Sequence, residues 1–254
     1  MQQRYEVRLN GVNLTDLSDD LMITDVNQPG PEQTLRSTAR GYADGSYFQG
    51  VTRDSLTVEV TFALWKYDVA NRQRLYSRVA EWAKKGYLTL NDRHGQRLYV
   101  DYVQVKGLGS VKGWTNTISV TLYAFSRPWW EQESPSAISK ESAGNVSLSL
   151  YVPGDAPSCH AEVEIKAKSD ISTVILSASG KSLTFSNLGL KSGQTFLLSH
   201  TDTGLLTAAA SGASVLAKRT GDDDLILYPG KENSIQIQTG AACTATVRTR
   251  GGWR

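Results

Sequence analysis

Alternating hydrophobic and polar residues run through most of the chain and predict a protein built mainly of β-strands. In DSLTVEVTFAL the hydrophobic residues Leu56, Val58, Val60 and Phe62 are separated by single polar residues. A period of two places alternate side chains on opposite faces of a strand, so this pattern is typical of a half-buried strand. The stretches RLYVDYVQV and TISVTLYAF repeat it.

One segment, VANRQRLYSRVAEWAKKG, has a helical period instead. Leu75, Val79 and Trp82 follow one another at the spacing of a single helix face. An aspartate before the segment can cap the first turn, and Gly86 after two lysines is a stop signal. We therefore predict one helix, over residues 69–85.

Two features accompany the predicted helix. Its polar face carries Arg72, Arg74 and Arg78, for which a solvated face is the simpler interpretation and a contact surface for a partner protein the alternative. After the helix, the segment NDRHGQR between Leu90 and Leu98 is rich in turn-forming residues. Because strand-like residues flank it on both sides, it predicts a β-hairpin.

The character of the chain changes after Trp130, which indicates two domains. The segment EQESPSAISKESAG has no periodicity and little hydrophobicity, so residues 133–143 are predicted to be a linker. Beyond it, short strand patterns follow one another without an intervening helix, which is typical of an antiparallel sandwich or jelly roll. The prediction is a β-sandwich domain over 1–132 and a second one over 144–254.

The pair Trp129 and Trp130 lies where the first predicted domain ends. Two adjacent tryptophans can form a flat platform for a sugar ring or a nucleobase. They can also pack back onto the last strand and close the edge of a hydrophobic core, which is the more common role of aromatic residues in this position. The sequence favours the core role.

Composition and charge exclude several classes of function. The 254 residues include 27 basic and 25 acidic residues, a net charge of +2, so the clustered basic excess of a nucleic-acid-binding protein is absent. No apolar run approaches the roughly 20 residues that a membrane-spanning helix needs. The N-terminal residues alternate like a strand and do not resemble a signal peptide, so synthesis in a cytoplasm is expected.

The histidines and cysteines do not form a recognisable catalytic or metal-binding motif. His94, His160 and His200 lie in separate segments without metalloprotease spacing. Cys159 and Cys243 form no CxxC pair and are expected to be buried thiols. No catalytic residue, metal site or cofactor is predicted, and the protein is not expected to be an enzyme.

Two other motifs carry weak chemical signals. The acidic triplet Asp222, Asp223 and Asp224 offers carboxylates to Ca²⁺, but its spacing is not that of a calcium loop, so a solvated turn is favoured. The glycine-rich run GLGSVKG lies between two strands and not before a helix, which favours a hairpin connection over a phosphate-binding loop.

Several of these patterns occur in one order along the chain. The strand GVTRDSLTVEVTFAL is followed by the helix and hairpin RQRLYSRVAEWAKKGYLTLND and then by TISVTLYAFSRPWWEQ. The second domain ends with LILYPGKENSIQIQTG and ATVRTRGGWR. This order resembles that of the distal tail proteins of long-tailed, non-contractile bacteriophages. The resemblance is strongest over residues 72–92, at the RPWW motif and over the turn at residues 229–233.

This resemblance implies a homo-hexameric ring made by the first domain, with a galectin-like second domain projecting from it. The protein would be a structural hub of the virion tail tip, made in the host cytoplasm. It would join the tail tube protein to tail-tip and receptor-binding proteins, and its ring would leave a channel for the tape-measure protein and DNA. Galectin-like describes the topology here and does not imply sugar binding.

A ring of identical subunits needs two different contact patches on each subunit. The segment ARGYADGSYFQG combines glycines with aromatic residues, a mixture enriched at interfaces. We therefore select Tyr42, Tyr47 and Phe48 as candidate interface residues, with an ordinary surface loop as an equally good interpretation.

Two other classes of function compete with a hub. A carbohydrate-binding module recognising a host surface glycan is the main alternative, although the second domain has few aromatic residues and several lie at core positions of strands. A cell-wall hydrolase needs two carboxylates that flank a bond, whereas Glu162 and Glu164 lie on one face of one strand.

Overall fold

The computed structural model describes residues 5–40, 44, 46–64, 69–106 and 116–254. The chain divides into two compact units, Met1–Trp130 with Arg254, and Glu131–Trp253. Both are built mainly from antiparallel strands, so the predicted fold class, two β-sandwich domains with a helix in the first, is confirmed. Within the described residues, no helix combines the length and apolar character that crossing a membrane requires.

In its described residues, the first unit contains one α-helix and two groups of strands. One sheet has the order β2-β1-β6-β7, and the other has the order β3-β5-β9-β8, with β4 added to β5. The elements are β1 Val7–Leu9, β2 Val12–Asn13, a 3-10 helix Leu14–Leu17, β3 Leu21–Asn27, β4 Glu32–Ala39, β5 Ser46–Leu64, α1 Val69–Trp82, β6 Gly86–Leu90, β7 Gln96–Val100, β8 Tyr102–Lys106, β9 Asn116–Ala124 and the start of β10 Trp130–Gln132.

The alternating residues of the sequence form the core of this unit. Val58, Val60 and Phe62 of β5 are fully buried, as are Val120 and Leu122 of the neighbouring β9. The intervening threonines and glutamate of β5 lie on the other face, which is why the pattern was readable from the sequence. The predicted hairpin is also confirmed, since β6 and β7 pair around the NDRHG turn.

The helix ends at Trp82, three residues before the predicted end. The amide of Lys84 donates to the carbonyl of Trp82, which ends the regular helical hydrogen bonding there. Leu75, Val79 and Trp82 are buried, as the helical spacing predicted. The chain then enters β6 through Gly86, whose φ of +148° suits a residue without a side chain.

Asn10 determines how the chain leaves the helix. Its Nδ2 donates to the carbonyl of Lys85 (3.1 Å), and its Oδ1 accepts from the amide of Tyr87 (3.1 Å). A Cβ on Gly86 would lie 1.8 Å from Oδ1, so glycine is needed between the two bonds. Asn10 itself has a φ of +53°, a conformation that asparagine tolerates better than most residues.

Asn10→Gly is expected to destabilise the protein by about 1–2 kcal/mol, because it removes two hydrogen bonds while easing the left-handed backbone. Chemical denaturation followed by circular dichroism measures the effect. Ser179→Gly is the matched control, since Ser179 has the same φ of +53°. A loss no greater than that of the control would contradict the bracing role of Asn10.

The second unit is a sandwich of two antiparallel sheets. Their orders are β11-β22-β13-β16-β17-β18, with β20 also pairing with β13, and β12-β21-β14-β15-β19. The strands are β11 Ser136–Ser142, β12 Asn145–Val152, β13 Cys159–Ala167, β14 Val174–Ala178, β15 Lys181–Phe185, β16 Thr195–His200, β17 Leu206–Ala210, β18 Ala213–Ser214, β19 Arg219–Gly221, β20 Ile226–Leu227, β21 Lys231–Gln238, β22 Cys243–Thr249 and β23 Gly252–Trp253, with a 3-10 helix Leu216–Lys218.

Side chains from both sheets meet in one hydrophobic cluster. Val163 and Ile165 of β13 and Ile235 and Ile237 of β21 are fully buried in it. The rings of Phe185 and Phe196 pack with centroids 5.1 Å apart. Both cysteines are buried and free, as predicted.

The predicted linker at residues 133–143 contains a strand in the structure. Residues Ser136–Ser142 form β11, which pairs with β22 over its whole length, from Ser136 opposite Thr249 to Ser142 opposite Cys243. The strand lacks the alternating signal because it lies at the end of its sheet and most of its side chains are exposed. Its position is set by backbone hydrogen bonds, with Ile138 packed against the core.

Trp130 is a buried anchor, as the sequence favoured. Its side chain is 1% exposed, and the guanidinium of Arg93 lies 4.7 Å above the ring. Trp129 is half-buried. With Trp130 enclosed, the pair cannot present two open ring faces to a ligand.

Candidate subunit interface

Strand β5 extends well beyond its sheet and forms a ribbon with β4. Residues 56–64 of β5 pair with β9, whereas residues 46–55 pair with β4. Among the described strands, β4 has no second neighbour. We call β4 and residues 46–55 the ribbon; at the usual rise of a strand its length is roughly 30 Å.

The ribbon exposes large hydrophobic side chains. Leu35 is 71% exposed, Phe48 70% and Tyr47 60%. Every described side chain of β4, over residues 32–38, is exposed as well, so this part of the ribbon has no buried face. Arg40 lies over the ring of Tyr47 at 4.8 Å.

A two-stranded ribbon of this kind is poorly stable alone. An isolated hairpin in water is marginal at best, because it buries little apolar surface and leaves both outer edges unpaired. Among the described side chains of the ribbon, polar contacts lie near its base, where Ser55 donates to Glu32 (3.0 Å) and Thr34 donates to Asp54. Exposed leucine and aromatic side chains on such an element are typical of a surface that packs against another protein.

The ribbon contains two of the three interface residues selected from the sequence. Tyr47 and Phe48 open β5, while Tyr42 lies outside the described residues. Leu35 was not selected, because a single leucine within the polar stretch EQTLRSTA gives no periodic signal. Its register, opposite Val51, places it on the same ribbon. The interface role of these residues stays a prediction.

The helix arginines differ in their surroundings. The side chain of Arg72 lies outside the described residues, and Arg74 is exposed. Arg78 is exposed too, and its Nη1 donates to the carbonyl of Leu17 (2.9 Å). Arg78 therefore holds the 3-10 helix against α1, and a contact role for Arg74 stays a prediction.

A cluster of two histidines and an aspartate lies in the second domain. Its three residues come from separate segments of the sequence. His160 Nδ1 lies 2.8 Å from Asp224 Oδ2, and His200 Nε2 lies 2.8 Å from Asp224 Oδ1. The two imidazole rings are stacked with centroids 4.1 Å apart. We call these three residues the His–Asp cluster.

The sheet topology brings the cluster together. Strand β16 pairs with β13 as far as Leu198 opposite Val163. Beyond that point β20 pairs with β13, with Ile226 opposite His160. The segment that leads into β20 carries Asp224 to the place where β16 and β13 separate. Since 64 residues separate Asp224 from His160, no local spacing could reveal this contact.

The three residues of the acidic triplet have different partners. Asp222 accepts from Lys181 and from the amide of Ser182, and Asp223 pairs with Arg219. Burial alone would raise the pKa of Asp224, but the hydrogen bonds from the two histidines outweigh it and hold that pKa well below its ordinary value. The triplet is thus not one carboxylate cluster for Ca²⁺.

Other candidate chemical groups are structural. Burial, followed by the nearby charge of Glu131, raises the pKa of Cys159 to about 12, so its thiol is a poor nucleophile at neutral pH. Glu164 pairs with Arg248 at 2.8 Å. In the second domain, Phe185 and Phe196 belong to the core, and Tyr151 and Tyr228 are exposed.

Comparisons with known proteins give a clear result only at the level of structure. No protein family and no curated protein matches the sequence. The Dit protein of phage SPP1, described as a paradigm of the hub adsorption apparatus in Gram-positive infecting phages, matches over 97% of this chain and 98% of its own, with a TM-score of 0.72 and 10% identity. A chain of the phage P2 baseplate in its activated conformation with Ca matches over 99% of this chain and 98% of its own, with a TM-score of 0.54 and 10% identity.

The match spans both domains, and the fold is therefore that of the Dit hub protein. This agrees with the resemblance to distal tail proteins found in the sequence. At 10% identity the likeness is one of fold.

Proposed function

We propose that this protein is a structural hub of a bacteriophage tail tip. The observation that carries the proposal is the fold, which is shared with the SPP1 Dit protein over nearly the full length of both chains. A scaffold that assembles with other proteins needs extended surfaces more than it needs a catalytic centre, and the neighbours are structural components of phage adsorption machinery. The protein acts as a virion component and not as an enzyme.

The first domain forms a homo-hexameric ring, with the ribbon as one of its two contact patches. A closed ring requires a head-to-tail contact between two different surfaces. The ribbon supplies a projecting element with Leu35, Tyr47 and Phe48 exposed. Packing it against the next subunit covers apolar side chains and gives the unpaired strand edges partners.

The ring joins the tail tube protein to tail-tip and receptor-binding proteins and leaves an axial channel for the tape-measure protein and DNA. A net charge of +2 fits a channel through which DNA passes, because a strongly basic lining would hold the phosphate backbone. The helix arginines Arg74 and Arg78 are candidate contacts to the neighbouring tail proteins.

The solution mass tests the ring directly. One chain has a mass of 27.8 kDa, so light scattering is expected to give about 167 kDa for six copies. Negative-stain images of the same fraction are expected to show rings with a central hole. A monomer at all concentrations, with no ring formed on addition of tail tube protein, would contradict the proposal.

A further inference from the structure

We propose that the His–Asp cluster binds one zinc ion per chain. The sequence predicts no metal ligands, because His160, His200 and Asp224 lie far apart in it. The fold places their ligand atoms within 4.8 Å of one another. The proposal concerns the second domain alone and does not depend on the ring.

The donor set favours a transition metal ion over Ca²⁺ or Mg²⁺. Two imidazole nitrogens and one carboxylate are a common protein ligand set for zinc, with one position left for water. Calcium and magnesium prefer sites made of oxygen ligands, which this cluster does not provide. The neighbouring carboxylates of Asp222 and Asp223 are engaged by Lys181 and Arg219.

The three side chains must adjust to hold an ion. Ligand atoms around a tetrahedral zinc ion lie about 3.3 Å apart, given bonds of about 2.0–2.1 Å. Each histidine nitrogen is now 2.8 Å from a different oxygen of Asp224, so the carboxylate and the rings must separate by roughly half an ångström. The stacked imidazole rings must also turn so that both nitrogen lone pairs point at the ion. Asp224 lies in the loop that precedes β20, at the place where β16 and β13 have separated.

Zinc binding changes the protonation of both histidine rings. The nitrogens that face Asp224 carry protons when they donate to it, and each must present a lone pair to bind zinc. In a neutral ring the proton moves to the other nitrogen, and an imidazolium ring releases one of its two protons to solvent. The His160 side chain is 30% exposed, so its Nε2–H can bond to water.

One nitrogen of the cluster lies outside the proposed ligand set. The His200 side chain is only 6% exposed, and its Nδ1 has no hydrogen-bond partner among the described residues. This nitrogen points away from Asp224, which is faced by Nε2 of the same ring, so Nδ1 is not a zinc ligand here. The proposal rests on the donor set and on the spacing of the three ligand atoms.

Isothermal titration with zinc chloride tests the site on the full chain after treatment with a chelator and dialysis. The expected result is one zinc per chain and a melting temperature that rises with zinc concentration. His160→Ala and Asp224→Asn are each expected to lower the zinc affinity at least about tenfold. Circular dichroism and the solution mass check that the variants remain folded.

His94→Ala is the matched control, because His94 is an exposed histidine of the first domain. It is expected to bind zinc like the parent chain. The proposal is overturned if the parent chain binds no zinc, if both cluster variants bind it as the parent does, or if only the His94 variant loses it. None of these results bears on the hexamer.

Discussion

Phe48→Asp is expected to convert the proposed ring of about 167 kDa into single chains of 27.8 kDa. Phe48 is 70% exposed, so its aromatic side chain contributes little to the stability of the single chain. Burying a phenylalanine stabilises a contact by about 1.5–3 kcal/mol, and placing a carboxylate there adds a desolvation cost. In a hexameric ring, this loss of binding energy occurs at every contact between subunits. Light scattering at several concentrations measures the mass of the variant.

Leu205→Asp separates this effect from a general response to added charge. Leu205 is 68% exposed, about as much as Phe48, but lies in the second domain. Its variant is expected to keep the mass of the parent. Leu35→Asp, on the strand opposite residues 46–55, is expected to behave like the Phe48 variant. Hexamers formed by both ribbon variants would show that the ring uses other surfaces.

Gly154→Ala is expected to destabilise the second domain by about 3 kcal/mol or more. Its φ is +109°, and a Cβ there would lie 2.0 Å from the carbonyl oxygen of Gly252. That oxygen accepts from the amides of Asp155 (2.8 Å) and Ala156 (2.9 Å). The methyl group must displace the backbone that anchors β23. The backbone strain and the weakening of both hydrogen bonds therefore contribute to the loss of stability.

Gly189→Ala isolates the contribution of the backbone angle. Gly189 also has a positive φ, +65°, but a Cβ there meets nothing within 4 Å. The free energy of unfolding of this variant is expected to fall by only about 1–2 kcal/mol, which is the cost of a left-handed backbone for a residue with a side chain. Urea denaturation followed by circular dichroism compares the two. Equal losses would mean that the contact with Gly252 is easily relieved.

Elements with a strong period of hydrophobic residues were predictable from the sequence, and elements positioned mainly by hydrogen bonds were not. β5 and β9 were found because each buries one face, and α1 because three residues mark its buried side. β11 was mistaken for a linker, since an exposed strand at the end of a sheet is positioned by hydrogen bonds that every residue can make. The path from α1 into β6 depends on Asn10, which lies 75 residues before the Lys85 carbonyl that it contacts.

The sequence alone determined that the chain is a mainly β protein with an amphipathic helix, buried thiols and a tryptophan anchor at the end of the first domain. Each of these follows from local periodicity or from the cost of exposing apolar side chains, and both are properties of neighbouring residues. Only the tertiary structure decided that β5 continues into the ribbon and that Asp224 meets His160 and His200. The contact of Asp224 with the histidines arises from strand pairing between distant segments, which depends on the register of the whole sheet. The ribbon arises from pairing of β4 with the start of β5, whose exposed residues give no periodic hydrophobic signal.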